Sequence, residues 1–252
     1  MSKEQVRVQF GAHADAYATS KVHAQGASLA RLVELVAPQS NWHALDVATA
    51  AGHTAFIFAP HVADVVATDI TPEMLPVAAR VAAEKGITNV TFREADAEAL
   101  PFADATFDLV TCRIAPHHFP NINRFLAEAA RVLRPGGVLA VVDNVVPDGE
   151  AGAYVNEFEK LRDPSHYRCL SLDEWLTAFQ AAGFTLHHQE TALKAMTFND
   201  WVVRMGASAE MVAHLRNMLL NAPPAAADFL QPQASGDDIV FYLTEAIVVG
   251  QL

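Results

Sequence analysis

The sequence predicts an α/β domain built on a doubly wound, mostly parallel sheet of seven strands. Three observations predict it. Apolar runs of strand length alternate with helical segments through the first two thirds of the chain, the rhythm of βαβ units. These runs are near-continuous rather than alternating, as in strands buried on both faces of a parallel sheet. Finally, 252 residues with 52% apolar and 18% charged side chains suit one large core and leave little room for disorder.

Taken in order, the first 40 residues have a helical pattern, with Phe10, His13 and Tyr17 followed by a stripe of Leu29, Leu32, Val33 and Val36. Strands are expected at 42–48, 62–68, 89–93, 107–112 and 138–142. Helices at 52–60, 72–85 and 122–133 separate them, the second with its proline early enough to be tolerated. Arg134-Pro-Gly-Gly137 reads as a turn. The rhythm then loosens. A helix is expected around 153–162, and Ser171-Leu-Asp-Glu174 is a capping box for a helix running to about 182. Two late strands, 184–191 and 239–249, flank a segment holding Trp201, a helix at 208–220 and the loop Ala222-Pro-Pro-Ala225.

Composition excludes several functions. Seventeen Lys and Arg against 29 Asp and Glu give a formal charge of −12 with no basic stripe, which argues against nucleic acid as a partner. Cys112 and Cys169 form no C-x-x-C, as expected of a reducing compartment. Met1-Ser-Lys-Glu-Gln5 has no apolar run, and no stretch of ~18 uncharged apolar residues follows. The expected setting is therefore the cytoplasm, with no membrane span. The eleven histidines make no H-x-x-H or H-E-x-x-H pattern, so no metal is expected.

The chemistry gathers at the carboxyl ends of the strands, where doubly wound sheets hold ligands. The first strand ends in Asp46-Val-Ala-Thr-Ala-Ala-Gly52, a turn of small residues without the G-x-G-x-x-G that a dinucleotide pyrophosphate demands. Asp69 ends the second strand, where a carboxylate can accept from both hydroxyls of a ribose. Asp96 follows the third strand in Glu94-Ala-Asp-Ala-Glu98, and could accept from an adenine amino group. The bland alternatives stay open. Asp46 organises its turn, Asp69 caps the next helix, and Asp96 is a solvated loop acid.

Five segments carry a resemblance. They are Leu45-Asp-Val-Ala-Thr-Ala-Ala-Gly-His53, Val66-Ala-Thr-Asp-Ile-Thr-Pro-Glu-Met-Leu75, Ala95-Asp-Ala-Glu-Ala-Leu-Pro-Phe102, Phe107-Asp-Leu-Val-Thr-Cys-Arg113 and Arg131-Val-Leu-Arg-Pro-Gly-Gly-Val-Leu139. In this order and spacing the sequence resembles the class I S-adenosylmethionine-dependent methyltransferases. The similar subgroup is that of ubiquinone/menaquinone C-methyltransferases and bacterial small-molecule O-methyltransferases. The resemblance implies a Rossmann-like sheet whose last strand is antiparallel. It also implies a helical lid at 1–40 on a methyltransferase domain at 41–252, with cap insertions at about 144–170 and 192–236.

Its implied cofactor is S-adenosylmethionine, leaving as S-adenosylhomocysteine. Asp46, Ala48, Thr49 and Gly52 would frame the methionine end. Asp69 would hold the ribose and Ile70 would pack on the adenine, with Asp96 and Ala97 at its amino edge. Cys112 and Arg113 would line the sulfonium, and Tyr17 and Phe10 would belong to the lid. The family's G-x-G-x-G-like turn is here A-T-A-A-G.

For the reaction itself, His117 and His118 follow the fourth strand, where a neutral imidazole can take a proton from an acceptor hydroxyl. Asp143, ending the fifth strand, would orient one of them, with His117 the stronger candidate. The alternative is that both histidines pack the loop. His166 and Trp201 are candidate substrate contacts, or a structural turn and a core aromatic. The expected partner is a small-molecule acceptor, apolar or aromatic, methylated on O or C by a monomer or homodimer. Two other functions stay open: an NAD(P)-dependent oxidoreductase and a non-catalytic protein that binds S-adenosylmethionine or another metabolite.

Overall fold

The computed structural model describes residues 3–11, 26–203 and 206–252. Helices α1 (Lys3–Gly11) and α2 (Ala27–Val36) precede the sheet. The alternating part runs β1 (His43–Val47), α3 (His53–Phe58), β2 (Asp64–Asp69), α4 (Met74–Glu84), β3 (Val90–Glu94), β4 (Phe107–Arg113), α5 (Ile122–Val132) and β5 (Leu133–Val145). Then follow α6 (Gly149–Arg162), α7 (Leu172–Ala181), β6 (Thr185–Thr197), α8 (Phe198–Val203), α9 (Ala209–Leu220), α10 (Pro224–Leu230), β7 (Gln233–Ser235) and β8 (Asp238–Gln251).

The strands form one sheet in the order β3-β2-β1-β4-β5-β8-β6, with β7 paired to β8. The pairs among β1–β5 are parallel, and β8 runs antiparallel to β5, β6 and β7. Strand order reverses between β1 and β4, which opens a crevice at their carboxyl ends. The central strands are buried because helices cover both faces. On β1, Leu45 and Val47 join Phe125, Leu126, Trp175 and Phe179 of α5 and α7. Ala44, one residue out of phase, joins Leu32, Val36, Ala55 and Val81 of α2, α3 and α4. The capping box on α7 forms as expected, Ser171 accepting from the Glu174 N–H while Glu174 accepts from the Ser171 N–H.

The differences from expectation lie where sequence signals are weak. The sheet has an eighth strand, the three-residue β7, which is wholly exposed and so has no apolar pattern. β6 runs to Thr197 rather than 191, and residues 192–197 pair with β8 instead of joining the cap. As an edge strand, β6 is mostly exposed and lacks the apolar run that marks β1 or β4. Arg134-Pro-Gly-Gly137 is a bulge rather than a turn. The register jumps from Phe107↔Leu133 to Leu109↔Val138, and Arg134 closes it by donating to both Asp108 oxygens at 2.7 and 2.6 Å. α6 begins at Gly149, and the expected loop at 222–225 instead supplies Pro224 as the first residue of α10.

Beyond the sheet's carboxyl end, α6, α8, α9 and α10 pack on β8 around a third apolar cluster of Phe158, Phe198, Trp201, Leu215, Leu230 and Phe241. Phe158 and Trp201 stack at 4.6 Å and 15°, which fixes the indole. Among the described residues no helix is long and apolar enough to cross a membrane.

Candidate active site

A cavity of about 340 Å³ opens at the strand-order reversal, within the roughly 300–1,000 Å³ typical of small-molecule sites. One end is built by the β1–α3 loop. Ala48, Ala50 and Gly52 all take left-handed backbone, with φ of +56°, +47° and +89°. These are the three positions at which the resembled motif places glycine. A non-glycine residue there costs roughly 1–2 kcal/mol, so the surroundings must hold the conformation. Asp46 does so. Its two oxygens accept from Thr49 Oγ1 at 2.6 Å and Thr111 Oγ1 at 2.7 Å, tying the loop to β4. Thr49 N–H also donates to Thr68 O at 2.8 Å, and Ala50 N–H to Asp69 Oδ2 at 2.9 Å. At Gly52 a Cβ would sit 2.2 Å from the Phe56 ring, so no larger residue fits.

Ala48, Thr49 and Ala50 line the cavity, whereas Asp46 and Gly52 do not. Asp46 is 1% exposed and shapes the loop from behind. Burial raises its carboxyl to about 6, against the hydrogen bonds from Thr49 and Thr111. Asp69 reaches the wall from the end of β2, with Ile70 beside it. Its oxygens accept from Thr71 N–H at 2.8 Å and from Ala50 N–H. Burial pushes its pKa up and the backbone N–H groups pull it back. A carboxylate has about four lone-pair sites, so the two bonds leave room for a diol.

Asp96 and Ala97 line the same end, beneath α1. Asp96 Oδ1 accepts from Glu98 N–H at 3.0 Å, and Oδ2 from Lys3 Nζ at 2.6 Å. Lys3 also reaches Glu98 at 2.8 Å, and Lys3, Val6 and Phe10 put α1 over the cavity. Tyr17 lies outside the described residues. Cys112 is wholly buried and off the cavity wall, its thiol raised well above the ordinary range by burial. Arg113 does line the wall, its Nε donating to Ser28 Oγ at 3.1 Å.

The other end starts at Ile114, which lines the cavity with φ +51°, an outlier for a β-branched residue. This bend, held by Ile114 N–H donating to Val142 O at 2.7 Å, turns the chain into the short helix Pro116–His118. Both histidines of that helix face the cavity. His117 Nδ1 lies 2.6 Å from Asp143 Oδ1, so the ring donates to the carboxylate and turns Nε2 away from it. Burial pulls this imidazole down, but the charge and hydrogen bond of Asp143 leave its pKa raised. His118 Nδ1 sits 2.9 Å from Ser165 O, a carbonyl that can only accept, so His118 carries its proton on Nδ1. Burial and then the neighbouring His117 lower His118 to about 3, keeping it neutral.

His166, a candidate substrate contact, is not among the residues that line the cavity. It stacks behind His117 at 5.3 Å and bonds Asn156 Oδ1 at 3.0 Å. Its sequence neighbour Tyr167 donates its N–H to His117 O, so this turn braces the loop that carries His117. Asp143 is likewise set back behind His117. Trp201 does line the cavity. Sequence reasoning missed Lys3, Ile114, Asn144, Glu159 and Arg162, all on the wall. Of these only Glu159 and Arg162 had a signal, an i,i+3 pair on one face of the expected helix at 153–162. Among the described residues no three His, Cys, Asp or Glu side chains are grouped to hold a metal ion.

Comparison with known proteins agrees with this fold. A family profile described as a methyltransferase domain matches residues 45–141. The chain is 34% identical over 244 residues to the uncharacterized methyltransferase YcgJ of Bacillus subtilis, covering 96% of each. It superposes on the crystal structure of YcgJ with a TM-score of 0.85 at 33% identity, over 89% of this chain and 97% of that one. It is also 39% identical over 126 residues to a demethylmenaquinone methyltransferase of Thermus thermophilus, spanning 49% of this chain and 56% of that protein.

Proposed function

Because the chain belongs to the class I S-adenosylmethionine-dependent methyltransferases, we propose that it methylates a hydroxyl oxygen of a small molecule, with His117 as the base. The observation that carries this reading is the 2.6 Å bond from His117 to Asp143 behind it, with His117 on the wall of the same cavity as the β1–α3 loop. Membership displaces the nicotinamide-dependent alternative.

The residues present fit the family's cofactor. The left-handed backbone at 48, 50 and 52 keeps the loop narrow, and Asp69 retains free lone pairs at the position expected for a ribose. When bound, S-adenosylmethionine supplies a methyl carbon on a cationic sulfur and leaves as the neutral thioether S-adenosylhomocysteine. Thr49 and Ala50 are proposed to hold its amino-acid end, and Ile70, Asp96 and Ala97 its adenine. Donation by Lys3 leaves Asp96 lone pairs for a second donor. Helix α1 acts as the lid, with Phe10 excluding water.

The Asp143 carboxylate holds His117 with its proton on Nδ1, so Nε2 takes the proton that the acceptor hydroxyl loses as its oxygen bonds the methyl carbon. His118, neutral, keeps a second Nε2 lone pair in the same wall without adding positive charge. Apolar lining from Met74, Phe119, Met196 and Leu243 suits an acceptor with an apolar or aromatic body.

A labelled-methyl transfer assay with S-adenosylmethionine over phenols, quinones, sugars and amines tests the reading. Label recovered as an O-methyl ether is expected. Label fixed on carbon or nitrogen, or no transfer at all, would contradict it.

A further inference from the structure

Four polar atoms at the acceptor end have no use in the reaction just described. Glu159 Oε1, Arg162 Nε, Trp201 Nε1 and Asn144 Oδ1 are buried with no hydrogen-bond partner among the described residues. All four residues line the cavity. A buried polar atom left unpaired costs about 1–3 kcal/mol, and native proteins keep few. Trp201 and Glu159 are 1% and 3% exposed, so bulk solvent does not reach them. Four such atoms on one wall mark a surface whose partner is a ligand.

Their arrangement defines that ligand's chemistry. Trp201 is clamped between Phe158, stacked at 4.6 Å, and the Arg162 guanidinium, 4.5 Å from the ring centroid. Arg162 Nη2 in turn meets Glu159 Oε2 at 3.3 Å. The charges of Arg162 and Glu159 therefore cancel locally, and each keeps one free hydrogen-bonding atom. An anionic group would meet the bare Glu159 oxygen, and a cation would meet the guanidinium. A neutral group with an acceptor beside a donor satisfies both.

We propose that the acceptor is a neutral hydroxy compound bearing, apart from its hydroxyl, a carboxamide-type edge. The carbonyl oxygen accepts from Arg162 Nε and Trp201 Nε1, and the adjacent N–H donates to Glu159 Oε1, with Asn144 Oδ1 as a second acceptor. This rests on the O-methyltransferase reading, because the same molecule must present its hydroxyl to His117.

The test is calorimetric titration of the protein saturated with S-adenosylhomocysteine. The probes are salicylamide, para-hydroxybenzamide and a hydroxynaphthamide, each beside the same ring without the amide and with a carboxylate in its place. At least one amide should bind about tenfold more tightly than both of its counterparts, the discrimination expected when buried polar atoms find or lose their partners. Trp201→Phe, which keeps the stack on Phe158 and removes the N–H, should erase most of that preference, and Glu159→Gln should reduce it. Equal affinities within every set, preference for the carboxylate, or no binding by any amide would overturn the proposal. The two readings fail separately. Loss of S-adenosylhomocysteine binding by the wild type strikes at the methyltransferase site, whereas methyl transfer to phenols without amide preference strikes only here.

Discussion

At the β1–α3 end of the cavity the carboxylates are already bonded to the chain: Asp46 to two threonine hydroxyls, Asp69 to two backbone N–H groups, Asp96 to an N–H and to Lys3. At the α6–α8 end, four buried polar atoms have no partner. The first end uses hydrogen bonds to hold a strained loop in a fixed shape, with left-handed alanines where glycine is expected. The second holds its side chains by stacking and leaves their polar atoms free. At the first end the carboxylates are already bonded to the chain and Thr71 Oγ1 is left unpaired, as suits the cofactor proposed there, whereas the second end leaves four such atoms for the proposed acceptor.

The comparison breaks most severely at the junction of the two ends. His117→Ala should lower kcat by about 100- to 1,000-fold, the range for a lost general base, with little change in cofactor KM. An unchanged kcat would make the histidine a packing residue. With His117 in place, kcat/KM should rise with pH through its raised pKa, because only the neutral ring accepts a proton. Asp143→Asn should move that limb to lower pH and reduce the plateau.

A smaller effect sharpens the contrast through stability. His118 and His166 are held far below their ordinary 6.5, chiefly by burial. Between pH 7 and pH 5.5 the unfolded chain therefore binds protons that the folded chain refuses, and stability falls as pH falls. Asp46, raised to about 6, and His117, also raised, offset part of this, since both bind a proton more readily in the folded chain. The net expectation is a fall in Tm of about 5 °C over that window. A flat or rising Tm would mean the two histidines are not neutral in the folded protein.

Much of the cavity wall at the β1–α3 end was legible in the sequence because it is local. Asp69, Ile70, Asp96 and Ala97 sit at strand ends, and a strand end can be read from an apolar run and the turn that follows. Asp46 shows the limit of that reading. Its place at the strand end was legible, but only the tertiary contact with Thr111, 65 residues away, shows that both its oxygens are engaged, one by the loop and one by β4. Ile114 was not legible, since nothing in its side chain announces a left-handed backbone. The acceptor end was harder still. Glu159, Arg162 and Trp201 come from two separate helices, and their convergence depends on α8 folding back over α6. α8 follows directly on β6, an edge strand with a weak pattern. His166 is the opposite case, a histidine in an irregular segment whose partner Asn156 cannot be read from the sequence.

On the proposed reading the two ends are separable, and the β1–β3 edge alone holds the cofactor. This separation is checked by titrating S-adenosylhomocysteine into Asp69→Ala and His117→Ala beside the wild type. Asp69→Ala should weaken binding by about 10- to 100-fold, as expected for lost charge-assisted hydrogen bonds, and His117→Ala should leave it within about twofold. Normal binding by Asp69→Ala, or an equal loss in both variants, would contradict the account.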